Sequence, residues 1–150
     1  IIGAINGPAA TGGLELALGC DIRIASRAAR FTDTHVRVGA LPGWGLSQRL
    51  SRLIGEGRAK EMSLTARWID ADLALTWGLV NHVVEPDRLL ATSMEIACQM
   101  AGASIDMLKA YKSLIGRGAA MPLGDAMRLE QDEALAASGS FDPSAMRNRR

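Results

Sequence analysis

The sequence predicts an α/β protein in which strands and helices mix over the first half and helices alone fill the second. Three observations predict it. Short apolar or alternating runs, "IIGAI", "DIRIAS" and "LVNHVV", are interleaved with helix-period stretches up to residue 86. After Glu85-Pro86 the strand patterns stop and only helical spacing remains. The composition, 48% hydrophobic with a formal net charge of +1 over 150 residues, is that of a globular chain with a sizeable core.

Residues 1–5 read as a buried strand. "NGPAATG" reads as a loop, broken by Pro8 and its glycines. Residues 13–19 read as a short helix, apolar on nearly every side and therefore buried. "DIRIAS" alternates as a strand does, and "ARFTDTHVRVGALPGWG" reads mostly as loop with short extended pieces. Two helices over 45–54 and 56–65 flank Gly55. "WID" is a short strand piece, "ADLALTWG" a helix ended by Gly78, and "LVNHVV" a further strand. Helices then cover 87–103, 105–116 and 122–137, and "FDPSAMRNRR" reads as a short closing helix with Pro143 near its start. The chain divides on this reading into 1–86 and 87–150, with no internal repeat.

Charge and composition narrow the function classes. The near balance of charge argues against a nucleic acid as partner, and the terminal "RNRR" reads as a solvated tail. No stretch is apolar over a bilayer's thickness, because Asn6, Glu15 and Asp21 interrupt the N-terminal run, so no membrane partner is expected. Cys20 and Cys98 lie in no CxxC or Cys/His cluster, which argues against a metal site; both read as small core residues and fit a reducing, cytoplasmic setting. The chain opens on Ile in mid-strand pattern, as the later part of a longer protein would.

The chemistry concentrates in "GPAATGGLELALGCD". Two adjacent glycines precede a helix, so a ligand can approach backbone N–H groups that have no acceptor within the helix. Such donors suit an oxygen that becomes anionic during a reaction. The segment is neither a GxxxxGK[ST] phosphate loop nor GxGxxG. Tight helix-strand packing would equally explain Gly12 and Gly13. Glu15 adds weight to the chemical reading, because a carboxyl on a buried helix must be paired or have a task. The two readings are an ion pair with Arg23 or Arg49, and acid/base work.

"AINGPAATGGLELALGCDIRIAS" resembles the signature segment of the crotonase, or enoyl-CoA hydratase/isomerase, superfamily. "FTDTHVRVGALPGWGLSQRLSRLIG", "LTARWIDADLALTWGLVNHVV" and the helical tail continue the resemblance over essentially the whole chain. It implies a crotonase-like spiral of ββα turns, of which 1–86 would be the second half, followed by a helical oligomerisation region over 87–150. It implies an acyl-CoA thioester as substrate, with no separate cofactor, and a homotrimer or dimer of trimers. One N–H holding the thioester oxygen in an enolate would be that of Gly12. The other would come from a segment before Ile1, and losing one such donor costs about 3 to 4 kcal/mol of transition-state stabilisation.

The resemblance also implies two glutamates around one water in the hydratases. One matches Glu15; the other falls at position 35, which here is His35. Imidazole titrates near neutrality and can take the second proton-transfer role. Alternatively His35 fills space and the reaction differs. Asp33, two residues earlier, either orients His35 or serves turn chemistry. Trp44 stands where the family usually has a small residue, and its bulk either narrows the acyl pocket or simply packs. Lys112 matches a position where the family often has a lysine, able to reach coenzyme A phosphates, or else lies on a solvated helix face. His82 reads as structural. Ser47 continues a helix and is no nucleophile elbow. Met107, Leu108, Leu114 and Ile115 recur at helical spacing as core or trimer contact. Three functions follow: enoyl-CoA hydration; another crotonase reaction such as isomerisation or C–C cleavage; and non-catalytic acyl-CoA binding or assembly. Spiral turns missing from the chain are expected to leave apolar faces uncovered.

Overall fold

A computed structural model describes residues 1–138. The expected closing helix in "FDPSAMRNRR" lies outside the described residues. By its contacts the chain forms two units, Ile1–Gln99 and one that begins at Met100.

The first unit is built from repeated turns. Strand β1 (Ile2–Ile5) is followed by β2 (Pro8–Ala10) and helix α1 (Gly12–Leu18); β3 (Ile22–Ser26) is followed by β4 (Arg30–Thr32) and helices α2 (His35–Val38), α3 (Leu46–Ile54) and α4 (Glu56–Thr65). Each turn sends its first strand to one sheet and its second to another. β1 pairs with β3 in parallel, Ile2 opposite Ile22, and β2 pairs with β4 in parallel, Pro8 opposite Arg30. This is the spiral of ββα turns that the resemblance implies. β5 (Ile69–Asp70) adds to β4 antiparallel; after α5 (Ala71–Thr76), β6 (His82–Val84) adds to β3 in parallel. Asp70 caps α5, its carboxylate accepting the Leu73 N–H at 2.8 Å.

The core lies among these layers. Leu14 of α1, Phe31 of β4, Leu46 and Leu50 of α3 and Met62 of α4 are fully buried in one cluster. Two departures from sequence expectation bear on the site. The expected loop over 6–12 contains β2. Pro8 is tolerated because it opens an edge strand, where a missing N–H breaks no ladder. The expected loop after β4 contains α2, one turn of helix closed by Gly39 at φ 68°, a conformation that suits glycine. The expected burial of β1 is also only partial, since β1 is the edge of its sheet and has one neighbouring strand among the described residues.

A 3-10 turn (Pro86–Arg88) leads into α6 (Leu89–Ala101). Cys98 on α6 is exposed, against the expectation of a core residue; Cys20 is half-buried, and both thiols are unbridged. In the second unit α7 (Ile105–Gly118) packs on α8 (Leu123–Ser138). Ser104 caps α7, and Arg117 pairs with Glu133 across the two helices at 2.5 Å. Between α7 and α8 runs a groove of about 170 Å³ lined by Tyr111, Leu114, Ile115 and Met127. Met107 and Ile115 are exposed rather than core. Among the described residues no helix is long and apolar enough to cross a membrane.

Candidate functional site

The site begins where β2 turns into α1. Thr11 joins them at φ 51°, ψ −107°, a backbone conformation that a residue with a Cβ adopts only under strain. Its neighbours hold it there. The Thr11 N–H donates to the Thr32 carbonyl at 3.0 Å. The Thr11 and Thr34 hydroxyls bond at 2.5 Å, and the Thr34 N–H donates to the same Thr11 oxygen at 3.2 Å. The segment before Gly12 is thereby tied to the segment before His35. No sequence motif signals this pair.

α1 has seven residues, so its macrodipole is small. What matters is the first-turn amide itself. Gly12 opens the helix, and its N–H has no acceptor within it. A Cβ placed on Gly12 would lie 3.7 Å from the indole Cζ3 of Trp44, an ordinary contact, so the described chain does not itself demand glycine there. Gly13 has open space beside it.

Glu15 is one turn further on and only 6% exposed. Its Oε1 accepts the backbone N–H of Trp44 at 2.8 Å. The ion-pair reading fails for both arginines. Arg23 donates from Nε to the Leu79 carbonyl at 2.7 Å and from Nη1 to the Cys20 carbonyl at 2.6 Å. Burial lowers its pKa against the opposing pull of Cys20 and Asp21. Arg49 donates from Nη1 to the Leu18 carbonyl at 3.3 Å. Among the described residues every fully buried side-chain polar atom has a partner. The other carboxyl oxygen of Glu15, which makes no hydrogen bond there, therefore reaches the surface.

His35 opens α2, with its side chain 12% exposed. Its Nδ1 lies 2.7 Å from Oδ1 of Asp33, whose side chain is 4% exposed. That same Oδ1 accepts the His35 backbone N–H at 3.1 Å. The turn-forming and orienting readings of Asp33 are thus one arrangement: an Asx turn whose carboxylate also holds the ring.

The remaining sequence candidates are spread out. Trp44 is 67% exposed, with its ring beside Gly12. Leu16, Val38 and Leu41 are exposed on the segments that carry the site residues. Ser47 lies exposed on α3 and His82 exposed on β6. Lys112 lies on α7, within the second unit.

The family model described as Enoyl-CoA hydratase/isomerase matches residues 1–138 of the chain. The chain belongs to the enoyl-CoA hydratase/isomerase family. It is 51% identical over 136 residues to a protein of Arabidopsis thaliana named probable enoyl-CoA hydratase 1, peroxisomal, covering 91% of this chain and 51% of that protein. An enoyl-CoA hydratase of Bacillus anthracis superposes with a TM-score of 0.90 at 37% identity, over 96% of this chain and 55% of that one. A Thermobifida fusca enoyl-CoA hydratase of the family, described in complex with CoA, superposes with a TM-score of 0.88 at 33% identity, over 93% of this chain and 54% of that one. The chain spans about half the length of the curated relatives it matches. Within the family fold, the spiral turns described here place Glu15 and Gly12 on one short helix and His35 on the next.

Proposed function

We propose that the whole protein adds water across the double bond of an α,β-unsaturated acyl-CoA thioester. The observation that carries this reading is the Glu15 carboxyl: buried, unpaired with any guanidinium among the described residues, anchored through one oxygen by the Trp44 N–H, and open to the surface at the other. A carboxyl so held can take a proton and release it, which one clamped in an ion pair does not readily do.

Glu15 takes a proton from water as the water oxygen bonds to the β-carbon. The double-bond pair moves into the thioester, and the Gly12 N–H donates to the enolate oxygen. His35 delivers a proton to the α-carbon, and the carbonyl re-forms. One OH and one H are added, and exchange with solvent resets Glu15 and His35. Coenzyme A enters as part of the substrate, with no separate cofactor, and Lys112 is the candidate contact to its phosphates. The second donor to the enolate oxygen would come from outside this chain.

The groove between α7 and α8, with exposed Tyr111, Ile115, Leu123 and Met127, supports assembly as a homotrimer or dimer of trimers. For location the reading is the cytoplasm, supported by two unbridged thiols.

The test is hydration of crotonyl-CoA by the whole protein, by Glu15→Gln and by His35→Ala. Loss of turnover in both variants is the expected result. Turnover retained in Glu15→Gln overturns the mechanism. No turnover in the parent with acyl-CoA still bound favours another reaction of the family or a binding role.

A further inference from the structure

We infer that Asp33 is the positioning residue of His35: it holds the proton on Nδ1 and so makes Nε2 the single nitrogen that exchanges a proton with substrate. Four observations carry this. Oδ1 of Asp33 lies 2.7 Å from Nδ1, inside the range of a charge-assisted hydrogen bond. The same oxygen accepts the His35 backbone N–H at 3.1 Å, and a carboxylate has acceptor sites only, so the hydrogen between it and the ring is carried by Nδ1. Nε2 has no hydrogen bond among the described residues, where no buried side-chain nitrogen lacks a partner, so Nε2 reaches the surface. The intervening Thr34 bonds Thr11, which precedes Gly12, and this ties the oriented ring to the oxyanion segment.

Neutral His35 is then an Nδ1–H imidazole with a bare Nε2, a proton acceptor. Protonated, it presents an Nε2–H, a proton donor. Only this tautomer lets one ring atom serve both directions of a reversible hydration without the ring turning over. The kinetic arm of the inference rests on the hydration reading above; the tautomer arm does not.

The experiment is nitrogen NMR of the whole protein labelled with 15N-histidine, at a pH where the ring is neutral, with His35 assigned by its loss in His35→Gln. The expected spectrum of the parent shows hydrogen on Nδ1; Asp33→Ala, which removes the acceptor, is expected to move hydrogen toward Nε2, whereas Asp33→Asn, whose amide oxygen can still accept from Nδ1, is expected to retain the Nδ1 tautomer. In the hydration assay Asp33→Ala is expected to lower kcat about a hundredfold, with KM changed by less than about twofold. A parent ring protonated at Nε2 overturns the inference, and needs no variant to fold. So does an Asp33→Ala enzyme of unchanged kcat. A parent that shows the Nδ1 tautomer, lost in Asp33→Ala, yet hydrates nothing keeps the positioning role and sinks the hydratase reading instead.

Discussion

Oε1 of Glu15 accepts the backbone N–H of Trp44 at 2.8 Å, so among the described residues a buried carboxyl is secured by a main-chain amide and not by a counter-ion. An amide donor carries no net charge. It fixes where one carboxyl oxygen lies and leaves the other free of that bond.

Glu15→Gln tests this. The glutamine oxygen can accept the same Trp44 N–H, so the fold is expected to hold and the midpoint of thermal melting to stay within a few degrees. Crotonyl-CoA hydration is expected to fall by about 10²- to 10⁴-fold, the usual worth of a positioned acid/base. An equal collapse of stability and activity would show that Glu15 is structural.

Gly12→Ala separates a packing glycine from a ligand-facing one. The new Cβ would sit 3.7 Å from the Trp44 ring, which the chain accommodates. Alanine also favours a helix start more than glycine does. Melting is therefore expected to be unchanged or slightly higher. Activity is expected to drop at least about tenfold, because the methyl obstructs the thioester oxygen's approach to the amide. A parallel loss of both would restore the packing reading.

Trp44→Ala removes the indole that stands beside Gly12 but keeps the N–H that holds Glu15. The expected outcome is a shift of kcat/KM toward longer acyl chains, with short-chain turnover lowered by less than about tenfold. Unchanged chain-length preference would place the ring outside the acyl pocket.

Thr34→Val removes the hydroxyl that braces Thr11. The expected cost is about 1 kcal/mol in urea unfolding. In that background Thr11→Gly is expected to recover about 1 kcal/mol, because glycine adopts φ 51°, ψ −107° without the Cβ clash. A further loss on adding Thr11→Gly would mean that the turn is not strained.

Local pattern alone determined much of this protein. Alternation in "DIRIAS" and "LVNHVV" marked β3 and β6, helical spacing and glycine breaks marked α3 to α5, and the second half was legible as helices. Gly12 and Glu15 could be singled out because a glycine pair and a lone carboxyl break an apolar run. Tertiary structure decided the rest. β2 exists because Pro8–Ala10 pairs with β4, some twenty residues away along the chain, and no local periodicity marks so short a strand. Glu15 found a backbone N–H rather than an arginine, and every residue but proline has such a donor, so its partner leaves no mark in the sequence. The bond from Thr11 to Thr34 depends on how α1 and α2 are brought together, whereas that from Asp33 to His35 spans two residues of one turn and could be read from their spacing. Burial periodicity is a property of neighbours in the chain, whereas a hydrogen-bond partner is a property of neighbours in space.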